Sequence, residues 1–120
     1  MTRSAAHERA AQPEELSRFF LDRANAGDVE GLVALYQHDA VLALPPGQIT
    51  VGRAGIREVY QRLLSTRPAF TSQGHGPALR SGDLALTSTR LPGGGATVEV
   101  ARRQPDGTWL WVLDQPNILG

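Results

Sequence analysis

Apolar residues along the chain follow two periods, helical in the first half and alternating in the second. Leu16, Phe19, Phe20 and Arg23 share one side at i, i+3, i+4 and i+7, which predicts a helix from Pro13 to Asn25-Ala26-Gly27. Proline suits the first helical turn, Glu14 and Glu15 suit the positive end of the dipole, and Gly27 can adopt the left-handed conformation that closes a helix. Asp28 is the expected N-cap of a second helix, because its carboxylate can accept from the free N–H groups of the next turn. Val29, Leu32, Val33, Leu35 and Tyr36 form its apolar stripe, to about Gln37. His38 and Asp39 read as an exposed turn into a short strand from Ala40 to Leu44, which Pro45 and Pro46 stop. Gln48 to Val51 pairs with it across a Pro45-Pro46-Gly47 turn. A third helix is expected from Arg53 to Thr66, burying Ile56, Val59, Tyr60, Leu63 and Leu64 and closing at Arg67-Pro68.

From Ala69 the period is two. Phe70 to Leu79 and Leu84 to Leu91 are expected as strands joined at Arg80-Ser81-Gly82-Asp83. Ala96 to Gln104 and Thr108 to Asn117 form a last hairpin around Pro105-Asp106-Gly107. Gly93-Gly94-Gly95 is a loop without the strand-to-helix context of a phosphate-binding loop. The pattern predicts an α+β domain over residues 13–120, its three N-terminal helices packed on the concave face of a curved, mainly antiparallel sheet. Residues 1–12 are small and charged and read as a flexible tail with an exposed His7.

Composition narrows the function classes. Twelve basic and twelve acidic residues give a formal net charge of zero, without the basic excess of a nucleic-acid binder. The absence of cysteine excludes disulfides and thiolate chemistry. His7, His38 and His75 are scattered without metal-ligand spacing, so neither a metal nor another cofactor is expected. No apolar run approaches the roughly 20 residues that span a bilayer, and the first residues lack the apolar core of a signal peptide. The expectation is a soluble, cytoplasmic protein with no nucleic-acid or membrane partner.

Strand parity suggests what lines the interior. Pairing Val100 with Val112, Val98 with Asp114 and Arg102 with Leu110 puts Val98, Val100, Leu110, Val112 and Asp114 on one face. Glu99, Ala101, Trp109, Trp111 and Leu113 fall on the other. Neither is plainly polar, so helices are expected over one and a second subunit over the other, through Trp109 and Trp111. On the preceding hairpin Leu79, Leu84 and Leu86 share a face with His75, Pro77 and Ser88. The interior expected from this parity is apolar, with His75, Ser88 and Asp114 as polar points and Tyr36 and Tyr60 added by the helices.

Asn25-Ala26-Gly27-Asp28 followed by Gly31-Leu32-Val33-Ala34-Leu35-Tyr36 resembles the nuclear transport factor 2-like (NTF2-like) superfamily. This is the cone-shaped fold of ketosteroid isomerases and SnoaL-like polyketide cyclases. The resemblance continues through Asp39-Ala40-Val41, the proline after the first strand, and Gly52 leading to Ala54-Gly55-Ile56-Arg57-Glu58-Val59-Tyr60. Val98 to Asn117 is most similar to the uncharacterised small stand-alone members of the DUF4440 and SgcJ-type group. The fold hosts enzymes, binders and assembly domains alike.

The resemblance implies site residues, and the departures limit them. The general-base aspartate of ketosteroid isomerases falls on Leu44, the oxyanion-donating tyrosine on Phe20 and the protonated aspartic acid on about Val100. Enolisation needs a base and an oxyanion donor, so these apolar residues stand against steroid isomerase activity. Asp114 remains as a candidate general base, with His75 or Tyr60 as acid or oxyanion donor; the alternative is that Asp114 caps backbone near Pro116 or pairs with a buried arginine. Phe20, Tyr36, Leu44, Tyr60, Leu86, Ser88, Val100 and Val112 are the candidate ligand-binding residues. Two functions follow. One is a small protein that binds a hydrophobic or polyketide-like molecule and acts as a cofactor-free isomerase, cyclase or hydratase. The other is a non-catalytic dimeric binding or interaction domain.

Overall fold

The structure, a computed structural model, describes residues 7–44, 47–72 and 74–118. Residues 1–6 of the expected tail and Pro45-Pro46 of the expected turn lie outside the described residues.

Helix α1 (Glu15–Asn25) starts without a side-chain cap at Glu14; the Glu15 carboxylate instead accepts from the N–H groups of Ala11 at 2.7 Å and Gln12 at 3.2 Å. The chain leaves α1 through Gly27 at φ 71°. Asp28 then caps α2 (Val29–Val33), its Oδ1 accepting from the N–H of Gly31 at 2.9 Å. This helix is five residues long and stops well short of Gln37. Tyr36 to Asp39, expected as helix and turn, open the strand β1 (Tyr36–Leu44) instead. The cause is a distant partner: Trp111 N–H donates to Leu35 C=O at 2.8 Å, and Tyr36 pairs with Trp111. A local helical stripe is a weak preference, and tertiary pairing overrides it here.

After β2 (Gln48–Val51), helix α3 (Arg53–Leu64) buries Ile56, Tyr60 and Leu64, while Leu63, expected inside, is exposed. Strand β3 (Leu79–Ser81) is much shorter than the expected Phe70–Leu79 run. Gly74 at φ 122° and Pro77 break that run, leaving a bridge between His75 and Thr89. Strands β4 (Leu84–Arg90), β5 (Ala96–Arg103) and β6 (Trp109–Gln115) complete a six-stranded sheet in the order β2-β1-β6-β5-β4-β3. The sheet is mixed: β1 runs parallel to β6, and the other neighbours are antiparallel.

The expected face assignment is reversed over most of the sheet. The core joins Leu16, Phe19, Leu32, Ile56 and Tyr60 to Ala85, Ala101, Trp109 and Trp111. Trp109 and Trp111 are therefore buried under the helices and do not lie on an outer face. The register agrees with expectation at Arg102–Leu110, continues through Ala101–Trp111, then slips to Val100–Leu113 and Glu99–Asp114. Val112 is the extra residue of a β-bulge. One inserted residue flips the side-chain alternation, so Trp111 and Asp114 both point inward although three positions separate them.

The other face is apolar in a continuous row. Leu79, Leu86, Val100, Leu113, Val41 and Val51 stand in register across all six strands. Leu79, Leu86, Leu113 and Val51 are exposed, at 61%, 38%, 50% and 64%. Residues 7–12, expected as tail, lie against the domain. Ala10 is buried and bridges Trp109, His7 Nε2 sits 2.7 Å from Asp28 Oδ2, and Arg23 donates to the carbonyls of Glu8 and Gly31. No helix among the described residues is long and apolar enough to cross a membrane.

Candidate functional site

Tyr36, Tyr60 and Asp114 come from three separate elements and meet in the core. Tyr36 opens β1 and is fully buried; Tyr60 lies on the inner stripe of α3; Asp114 follows the β6 bulge. Tyr36 Oη donates to Asp114 Oδ2 at 2.5 Å and lies 2.6 Å from Tyr60 Oη. A phenol has one hydrogen. When Tyr36 gives it to the Asp114 carboxylate, Tyr60 must donate to Tyr36, so the two hydroxyls form a chain that ends on Asp114. Asp114 Oδ1 has no hydrogen-bond partner among the described residues.

Asp114 is held in an unusual charge environment. Burial raises its pKa from 3.8 to about 7, the neighbouring Glu99 adds to the rise, and the bond from Tyr36 opposes it. Glu99 pairs with Asp114 in register and is also buried, and burial raises its pKa against the lowering effect of the Thr87 hydroxyl. The hydroxyl of Thr87 donates to Glu99 Oε1 at 2.7 Å. Burial likewise raises both tyrosines, Tyr36 most strongly, so both stay protonated at neutral pH. Burial raises both carboxyl groups, and the charge of Glu99 further favours the neutral form of Asp114.

Above them lies a pocket of about 100 Å³, the liquid volume of about three waters. Its acid–base lining is Asp114, Glu99, Tyr60 and His75, and its apolar walls include Phe20, Phe70, Trp111 and Leu91. Phe20 is the hub of the rings, with its centroid 6.1 Å from Tyr60, 5.9 Å from Phe70 and 6.2 Å from Trp111. His75 is exposed at the wall, its Nδ1 3.2 Å from Thr89 Oγ1.

The structure thus brings Asp114, Tyr60, His75 and Phe20 around one pocket, with Tyr36 directly behind Asp114. Leu44 packs half-buried against the core, away from it. Leu86 and Val100 stand on the opposite face of the sheet, and Val112 is the bulge residue; none of the three lines this pocket. Ser88 lines a smaller neighbouring cleft with Glu14 and His75. Asp114 neither pairs with an arginine nor caps backbone. Glu99 is the residue that sequence reasoning misses, because the regular alternation puts it outside. Its signal is that an acidic residue sits within Thr97-Val98-Glu99-Val100-Ala101, otherwise uncharged. Among the described residues no group of three or more metal-ligating side chains exists.

Residues 16–118 match the SnoaL-like domain family. No curated protein matches the chain. Among solved structures, a Thiobacillus denitrificans protein named for the calcium/calmodulin-dependent protein kinase type II association domain superposes with a TM-score of 0.77 at 18% identity. That match covers 92% of this chain and 98% of the other. An NTF2-like protein with a cystatin-like fold from Novosphingobium aromaticivorans is 26% identical at a TM-score of 0.67, over 84% of this chain and 75% of the other. A ketosteroid isomerase-like protein from Erwinia carotovora atroseptica is 22% identical at 0.69, over 85% and 89%.

Proposed function

The chain belongs to the SnoaL-like domain family, and from that premise we propose that it is a cofactor-free acid–base enzyme, an isomerase, cyclase or hydratase acting on a small, largely apolar molecule in the cone of the fold. The observation that carries this reading is the unpartnered Oδ1 of Asp114 on the pocket side, with a pKa of about 7. A carboxylate with that value is a stronger base than an ordinary aspartate and still half ionised near neutrality. Asp114 Oδ1 takes a proton from the bound molecule. Once Asp114 is protonated its hold on Tyr36 weakens, and the Tyr36–Tyr60 pair can reverse so that Tyr60 donates into the pocket, where negative charge develops. Phe20, Leu44 and Val100 supply neither base nor donor, which supports a reaction other than steroid isomerisation. A pocket of about 100 Å³ also favours a substrate smaller than a steroid.

The test is native mass spectrometry of the purified protein, extraction of any bound compound, and turnover assays with Asp114→Asn. The expected result is a folded variant that still takes up ligand at raised concentration, with turnover reduced about 100-fold or more. Wild-type turnover by Asp114→Asn sinks the catalytic reading and leaves a binding protein.

We also propose that a second copy covers the outer apolar row, giving a homodimer through Leu79, Leu86, Val100 and Leu113 in place of the tryptophans. A row of exposed aliphatic side chains crossing a whole sheet is costly to leave in water. Sedimentation should give a dimer, and Leu86→Glu with Leu113→Glu a folded monomer; a monomeric wild-type protein overturns it.

A further inference from the structure

The two acids of the pocket have no arginine beside them; on its lining, the exposed His75 is the residue able to carry positive charge. Asp114 and Glu99 both line it, at 8% and 5% exposure, and among the described residues neither takes part in an ion pair. No arginine is on the pocket lining: Arg9 pairs with Asp106, Arg57 with Glu30 and Arg80 with Glu14, and Arg23 donates to two backbone carbonyls. Buried carboxyls normally meet an arginine or a metal, because isolated charge in a dry site is expensive. Here they meet an empty volume, with Asp114 Oδ1 unpartnered beside it.

The remaining walls say what could fill that volume. Phe20, Tyr60, Phe70 and Trp111 line the same pocket as the acids and pack on one another through Phe20. Aromatic rings attract cations through their quadrupole, most strongly where water is excluded. A metal ion would call for several more anionic or carbonyl ligands, and the rest of the lining is rings and hydroxyls, with no group of three or more metal-ligating side chains among the described residues. An organic anion would face two buried carboxyl groups, with the exposed His75 as the lining residue able to carry positive charge. We infer that the molecule bound in this pocket is a small organic ammonium, a primary to tertiary amine carrying a compact apolar body, its nitrogen held by Asp114 and Glu99 and its body by the aromatic walls. The inference rests on the proposed reading of the pocket as a small-molecule site and names the ligand class. The ammonium stabilises the ionised carboxylates in a way that a neutral ligand of the same shape does not.

Three probes of similar shape test it: benzylamine, benzyl alcohol and benzoate, each a single benzene ring with one short polar arm. Binding to the intact wild-type protein at pH 8 is followed by calorimetry, and by NMR shifts of the Trp111 indole to place the probe. The expected order is benzylamine tighter than benzyl alcohol by at least about tenfold, with benzoate weakest. In Asp114→Asn and in Glu99→Gln the amine's advantage should fall to about threefold or less, and either variant alone suffices if the other fails to fold. Benzyl alcohol or benzoate binding as well as the amine overturns this inference and leaves the small-molecule reading standing. An undiminished amine preference in a folded variant also overturns it. Failure of all three probes to bind overturns both.

Discussion

Replacing Asp114 with asparagine should stabilise the protein in alkaline solution far more than in acid. In the folded state Asp114 is neutral up to a pKa of about 7, because burial disfavours the charge; in the unfolded chain it ionises at the ordinary 3.8. The native state therefore holds the proton more tightly. The stability this provides is complete below pH ~4 and declines as pH rises through 7. The gap between about 7 and 3.8 corresponds to about 4 kcal/mol, of which about 3 kcal/mol develops between pH 5 and 8. For a domain stable by roughly 5–15 kcal/mol that is a large fraction. Asparagine has nearly the same shape, its amide oxygen can still accept from Tyr36, and it does not ionise. Urea unfolding of both proteins at pH 5, 6, 7 and 8, read by the buried Trp109 and Trp111, measures the difference. That difference should shift by about 3 kcal/mol towards the asparagine variant over this range. A difference that is flat with pH, or that moves towards the wild type, refutes the argument that burial holds Asp114 neutral.

Tyr36→Phe removes the bond that opposes the rise of Asp114. Its carboxyl should then titrate above about 7, visible by carbon NMR of the side chain, and stability at pH 8 should drop by about 2 kcal/mol. Gly31→Ala would ordinarily help a helix by about 1 kcal/mol, but here the new Cβ would sit 2.7 Å from Asp28 Cγ and 2.8 Å from Arg23 Cδ. A net loss of about 1–3 kcal/mol in urea unfolding is expected, and a gain would show that the cap and Arg23 yield easily. Asp28→Ala should cost about 1 kcal/mol by the same measurement, since one bond to Gly31 starts a helix of five residues.

Local chemistry was legible in the sequence where it acts within a few residues. Gly27 and Asp28 announce the end of one helix and the start of the next, Gly27 through its positive φ and Asp28 through its carboxylate. Arg80-Ser81-Gly82-Asp83 marks a hairpin, which forms with Ser81 opposite Leu84. What the sequence concealed depends on partners far along the chain. Leu35 and Tyr36 continue a helical stripe, yet Trp111 draws them into a strand. The face of every residue on β5 and β6 hung on where Val112 would bulge, and no turn residue flags it. Regular alternation therefore put Glu99 and both tryptophans outside and Val100 inside. Asp114 faces the interior because the bulge reverses parity after Trp111, not because the alternation is regular; it lines one cavity with Tyr60, His75 and Phe20, and Glu99, which the alternation put outside, lines it too.

The sixth strand in sequence is not at the edge of the sheet but inside it, between β1 and β5. As the chain leaves the ribosome, α1, α2 and β1 emerge early and have no partner for the β1 edge that Trp109 to Gln115 will cover. Leu16, Phe19 and Tyr36 stay wet until almost the whole sequence is available. Folding of this domain is thus a late, single event dominated by contacts of long sequence separation, which slows it and lengthens exposure to aggregation. A nascent chain stalled before Trp109 has helices and hairpins but no floor to its core, and such a fragment is work for a chaperone.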